Sequence, residues 1–328
     1  MVEPKSANVQ RRVRKSNSTS SDAGPPMGQS RRSILQMISS STQVTAHPLD
    51  TLQPNQPHYP RDSLLLSTPD VHLRYFMGHD SRGMAVIINN ETFEPALGMS
   101  QRTGTQVDAA NLQDSFRLLG FETSNIHRYD DLTVRNMRKA MEYYAAEINY
   151  NAMDCFICAI LSHGNDGVIY GRDGKTSLDE LLLPFKKYIH PSLIGKPKVF
   201  LIQACRGDKL ENGVLFPGSV ESDDSSAQRI PAEADFLYAY STVPGYYSWR
   251  NASRGSWFVE AFTRKLRDMK FPSGSNRDDE REVDFQRLLT RVSYDVAYNF
   301  ESCANRTDLN AKKQVPSVVS MLTKDLYF

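Results

Sequence analysis

From Gly83 onward, short unbroken apolar runs alternate with longer segments whose apolar residues recur every three or four positions. The runs predict strands, the spaced segments predict helices, and their alternation predicts a parallel sheet covered on both sides. Met84-Ala-Val-Ile-Ile88 is the first strand. Thr105–Leu119 is a helix with Val107, Ala110, Phe116 and Leu119 on one face and Gly120 as its stop. Asn125–Tyr129 predicts a short strand, and Thr133–Ile148 a helix whose stripe of Met137, Met141, Tyr144 and Ile148 is core packing. Asp154–Leu161 is a third strand. Ser177-Leu-Asp-Glu180 is a capping box opening a helix with Leu181, Phe185 and Ile189. Pro197 leads into Lys198-Val-Phe-Leu-Ile-Gln203, continuously apolar at its centre as a strand buried on both faces must be. Phe236–Tyr240 and Val318–Leu322 complete the strands, with helices over Ser256–Met269 and Asp284–Phe300 between them. The expected class is α/β, a three-layer sandwich around a mostly parallel sheet of six strands.

Two consecutive strands end in unusual residues: the third runs into Ser162-His163-Gly164 and the fourth into Ala204-Cys205-Arg206-Gly207. Ligands of open α/β sheets bind beyond the carboxyl ends of the strands, so the imidazole and the thiol are expected along one edge. A lone cysteine is usually a small core residue, and a lone histidine a satisfied one. The pair is different, because a thiolate nucleophile needs a base to raise its population and donors for the oxyanion that forms. His163 supplies the base, and the N–H groups of Gly164 and Cys205 are candidates for the donors. Cys155 and Cys158 are spaced as C-x-x-C but lie within a strand, where a separation of three points them to opposite faces. Both are read as core residues, and no metal site or cofactor is expected.

Two segments break the pattern. Residues 1 to about 75 are rich in Ser, Thr, Pro and Gln, carry basic clusters at Arg11-Arg-Val-Arg-Lys15 and Arg31-Arg32, and hold no sustained apolar period, so a disordered tail without a recruitment domain is expected. Residues 208–231 are polar and acidic around Val220-Glu-Ser-Asp223-Asp224, a length of structureless chain that belongs to a functional or mobile loop. With 39 basic and 38 acidic residues among 328, the net charge of +1 gives no general attraction to nucleic acid or membrane. No apolar run approaches the roughly 20 residues that span a bilayer, and the start has no secretory signal. Four cysteines are too few for a disulfide framework. The chain is expected to be cytoplasmic, with nuclear entry left open by the basic cluster.

Five ordered motifs then make a resemblance specific. Arg102-Thr-Gly-Thr, Val107-Asp-Ala-Ala-Asn111, Ser162-His-Gly164, Gln203-Ala-Cys-Arg-Gly207 and Tyr246-Tyr-Ser-Trp-Arg-Asn251 together resemble a caspase, an aspartate-directed cysteine protease, from about Gly83 to Phe328. The resemblance implies that Cys205 is the nucleophile, His163 the acid/base and Gly164 part of the oxyanion hole. It also implies that Arg102 with Gln203 grips the substrate aspartate, a role suited to a permanently charged, forked guanidinium. By the same resemblance Arg250 would hold substrate backbone and a side chain upstream, with Tyr247, Ser248, Trp249, Asn251 and Trp257 completing the upstream subsites. Cleavage after Asp223, or else Asp224, would divide a large subunit (76–223) from a small one (224–328), and a second cut at Asp50, Asp62, Asp70 or Asp80 would shed part of the tail. The implied partners are protein substrates with aspartate at the cut, an upstream initiator caspase, inhibitor-of-apoptosis proteins and a second large/small pair in a dimer. Phe300-Glu-Ser-Cys-Ala-Asn305 lacks an aromatic of the family's most distant subsite, which leaves the preference four residues upstream of the cut open. The rivals are a silent homologue, disfavoured by the presence of Cys205, His163 and Arg102, and a related protease cutting after Arg or Asn, which two site cations oppose for Arg.

Overall fold

The computed structural model describes residues 73–207, 209–210, 233–272, 281–302 and 309–328. The proposed cuts at Asp223 and Asp224, and those at Asp50, Asp62 and Asp70, lie outside these residues; Asp80 is exposed.

The strands form where the apolar runs stand. They are β1 (Ser81–Asn89), β2 (Ile126–Asp130), β3 (Met153–Leu161), β7 (Lys198–Gln203), β8 (Phe236–Tyr240) and β11 (Ser317–Ser320), joined in one sheet of order β11-β8-β7-β3-β1-β2. All neighbours are parallel except β11, which pairs antiparallel with β8 at the edge. The helices are α1 (Thr105–Leu118), α2 (Val134–Glu142, continued by a π-turn over Tyr143–Glu147), α3 (Leu178–Lys187), α4 (Trp257–Lys270) and α5 (Phe285–Asn299). Ser177 caps α3 by accepting the Glu180 N–H at 3.1 Å.

Alternate strand residues divide the core in two. Ala85, Ile87, Cys155 and Ile157 pack with α1, α4 and α5 on one face, whereas Met84, Val86, Phe156 and Cys158 pack with α2 and α3 on the other. Cys155 and Cys158 are both free, fully buried and on opposite faces, as a two-residue strand period requires. The expected methionine stripe of α2 is also core, Met137 and Met141 being fully buried.

Helix α1 departs from its expected face. Ala110 is exposed and Val107 only half-buried, while Asp108, Ala109, Leu112, Ser115 and Phe116 are buried. Two of these are polar and have partners on other elements: Ser115 Oγ lies 3.1 Å from Thr263 Oγ1, and Asp108 accepts from Ser256 N–H. An apolar count along the helix cannot find a face that is partly polar. The short strands β4 (Gly164–Asn165), β5 (Val168–Gly171) and β6 (Gly174–Ser177) form a small antiparallel sheet, and β9 (Arg250–Asn251) and β10 (Gly255–Ser256) a hairpin. Neither carries an apolar pattern long enough to read.

Candidate active site

Three adjacent strands finish in register. Asn89 of β1 lies opposite Leu161 of β3, and Leu161 opposite Gln203 of β7, so His163 and Cys205 each follow two residues beyond one paired position. The chain leaves β1 first toward β2 and later returns through β3 on its other side, which makes the β1/β3 carboxyl edge the switch point of the sheet. Close backbone approach completes the juxtaposition: a Cβ on Gly164 would lie 2.7 Å from the Cys205 carbonyl oxygen. Only glycine fits there.

The imidazole is oriented by a backbone group. His163 Nε2 lies 2.8 Å from the Ser100 carbonyl oxygen, and its ring packs against Phe93 at 4.8 Å between centroids. A carbonyl only accepts, so the neutral ring carries its proton on Nε2 and presents Nδ1 as the acceptor. Burial lowers the His163 pKa, the Ser100 carbonyl opposes that, and the charges of Arg102 and Arg250 push it down again. Burial raises the Cys205 pKa, against a backbone hydrogen bond with Ser248 and the charges of the same two arginines. Its Sγ reaches Ser248 O at 3.9 Å. Both shifts favour the uncharged forms, a thiol and a neutral imidazole.

Arg102 sits just beyond the end of β1 and is 1 % exposed. Its Nη1 donates to Asn90 O at 3.0 Å and to Thr105 Oγ1 at 2.8 Å, and Thr105 Oγ1 in turn donates to Asn89 Oδ1 at 2.6 Å. The other edge, Nε and Nη2, is buried without a hydrogen-bond partner among the described residues. Burial, then the like charge of Arg250, drop the Arg102 pKa to about 9, so it stays protonated at neutral pH. Buried donors without acceptors cost on the order of 1–3 kcal/mol each, so a fork left open marks a place for an external acceptor.

Gln203 Nε2 donates to Ser248 Oγ at 2.8 Å, and Gln203 Oε1 is likewise buried without a partner. Arg250 on β9 donates through Nε to Thr103 O at 2.9 Å. Tyr247 is exposed and meets Trp249 edge to face, and Trp249 stacks on Trp257 at 5.6 Å. Trp257 is a core residue that also borders, with Arg254 and Phe300, a cavity of about 400 Å³. The Asn251 side-chain oxygen is occupied by the turn, accepting from Ser253 and Arg254 N–H. The Cys205 loop is tied to the next one by Arg206 N–H to Tyr246 O, at 3.0 Å, and Gly245 N–H to Arg206 O.

Sequence reasoning gave no role to Ser100, Thr105, Asp108 or Gln314. Gln314 accepts the Trp249 N–H at 2.7 Å and donates to Ser241 O, tying the Trp249 loop down. Ser100 acts through its carbonyl, which no side-chain motif can signal; Thr105 and Asp108 lay inside recognised motifs.

The family model "Caspase domain" matches residues 82–327. The chain belongs to the caspase family. This caspase is 44 % identical over 260 residues to "Caspase-7" of Gallus gallus, covering 78 % of this chain and 80 % of that protein. It is 44 % identical over 254 residues to "Caspase-3" of Oryctolagus cuniculus, covering 77 % and 86 %. The crystal structure of caspase-1 from Spodoptera frugiperda superimposes with a TM-score of 0.67 at 39 % identity, covering 77 % of this chain and 92 % of that one. The protein is a caspase of the effector type, a cysteine endopeptidase that cuts after aspartate and acts in apoptosis. No helix among the described residues is long and apolar enough to cross a membrane.

Proposed function

We propose that this caspase uses Cys205 as nucleophile, His163 as acid/base, and Arg102 with Gln203 as the aspartate pocket. The observation that carries the reading is the open Nε/Nη2 edge of a buried Arg102, in electrostatic reach of Cys205. The Sγ proton passes to His163 Nδ1 as sulfur attacks the scissile carbonyl carbon. The oxyanion is received by the N–H groups of Gly164 and Cys205. His163 then returns the proton to the leaving amine, and water hydrolyses the thioester. Ser100 O holds the ring throughout, stabilising the imidazolium as it forms. Arg250 takes substrate backbone, and Tyr247, Ser248, Trp249, Asn251 and Trp257 line the upstream subsites.

The intact chain is a zymogen on this reading. Cleavage after Asp223 or Asp224 by an upstream initiator caspase frees the Cys205 loop from the chain that follows. Large and small subunits then assemble as a dimer of pairs through β11, an edge strand of the sheet among the described residues, where Val319 is 45 % exposed. The cytoplasm is the proposed location, and inhibitor-of-apoptosis proteins are proposed partners.

Treating the chain with an initiator caspase and sequencing the new N-termini tests activation. Asp223→Ala should remove the main cut, and unchanged termini would refute the assignment. A peptide-library profile of the processed enzyme beside Cys205→Ala tests specificity; cleavage after arginine but not aspartate would overturn it.

A further inference from the structure

Asp108 is a fully buried carboxylate on α1, a group costly to desolvate. Oδ1 accepts the Ser256 N–H at 2.8 Å, and Oδ2 is buried with no hydrogen-bond partner among the described residues. The β9–β10 hairpin is seated directly on this group. Gly255 has φ +85°, and a Cβ there would fall 2.2 Å from Asp108 Oδ1. Ser256 is paired with Arg250 across the hairpin, so the residue held by Asp108 is the ladder partner of the arginine. The Arg102 loop approaches the same hairpin, since a Cβ on Gly104 would lie 2.4 Å from Asn251 O. Arg102 is also bonded to Thr105, the first residue of the helix that carries Asp108.

One carboxylate therefore joins the carriers of both arginines, one through its own helix and the other through β10. The charges are mutually felt: Arg102 and Arg250 each oppose the effect of burial on Asp108, and Asp108 in turn supports both guanidinium charges. We propose that Asp108 is a positioning residue that clamps the β9–β10 hairpin onto α1 and thereby sets Arg250 in place beside the Arg102 pocket. The inference rests on the reading of Arg102 and Arg250 as substrate-binding groups. Asp108 touches no reacting atom and acts through the hydrogen bond it accepts.

The test uses the processed enzyme and a fluorogenic peptide ending in aspartate, with thermal unfolding measured alongside. Asp108→Ala should raise KM about tenfold with kcat within about threefold, the signature of lost binding without lost chemistry. Asp108→Asn keeps an oxygen facing the Ser256 N–H and should restore KM to within about threefold of wild type. A drop in unfolding temperature with unchanged KM, a loss confined to kcat, or an Asp108→Asn variant no better than Asp108→Ala would each overturn the proposal. Should Asp108→Ala fail to fold, Gly255→Ala asks the same question with the carboxylate intact: a raised KM at kept kcat supports the clamp, and wild-type kinetics refute it. Failure of the underlying pocket reading would appear separately, as a wild-type enzyme with no preference for aspartate over asparagine at the cut.

Discussion

Replacing Arg102 by lysine keeps the charge and removes the fork. In the folded protein Nη1 is fully used, by Asn90 O at 3.0 Å and Thr105 Oγ1 at 2.8 Å, which leaves Nε and Nη2 as a side-on pair for a substrate carboxylate. Two parallel charged hydrogen bonds are available to aspartate, each worth about 1.5–3 kcal/mol. A lysine has three donors on one nitrogen; two are drawn to Asn90 O and Thr105 Oγ1, so at most one reaches the substrate. The loss is then one charged bond, which at about 1.4 kcal/mol per decade lowers kcat/KM for an aspartate peptide roughly 10- to 150-fold. A matched peptide ending in asparagine offers one acceptor oxygen and an amide that only donates, so it takes a single bond from either side chain and should lose less than about tenfold. Initial rates with the two peptides, on enzyme titrated for active sites, should show the preference for aspartate shrinking in Arg102→Lys. If both peptides lose the same factor, the side chain only supports the structure and the argument from its open edge is wrong.

Two other expectations concern pH. His163 must be neutral to take the thiol proton, and burial together with two nearby cations holds its pKa below the ordinary 6.5, so the acid limb of kcat/KM should lie below that pH. Arg250→Gln removes one of those cations and should move the limb upward; a limb that stays put or moves down contradicts the electrostatic account. Burial raises the Asp108 pKa to about 6 from 3.8, so with rising pH the unfolded chain ionises first and ionisation costs the folded state stability, fully so above about pH 6. That interval corresponds to about 3 kcal/mol, and asparagine does not titrate, so the stability of Asp108→Asn relative to wild type should improve by about that amount between pH 4 and pH 7. Urea unfolding on a Cys205→Ala background reads the difference, and a pH-independent gap refutes it.

Most strands and helices could be read because each records burial locally. A run such as Val199–Ile202 has no polar face to offer water, and the stripe Met137, Met141, Tyr144 repeats at the pitch of a helix. The short antiparallel pieces β4–β6 and β9–β10 could not be read, being two to four residues long and held by what surrounds them. The face of α1 was misjudged for a related reason, since Asp108 and Ser115 are buried by partners on α4 and at its start, not by their own polarity.

By itself the sequence determined the alternating fold, the two strand ends that bear His163 and Cys205, and the motif that marks Arg102. It could do so because periodicity and motif spacing are properties of neighbouring residues. Only the tertiary structure decided that β3 lies between β1 and β7, and hence that three strand ends share one register. It alone placed the Ser100 carbonyl on Nε2 of His163, left one edge of Arg102 open, and set Asp108 beneath the Arg250 hairpin. These contacts join groups tens to well over a hundred residues apart, through backbone atoms and unfilled donors that carry no signature along the chain.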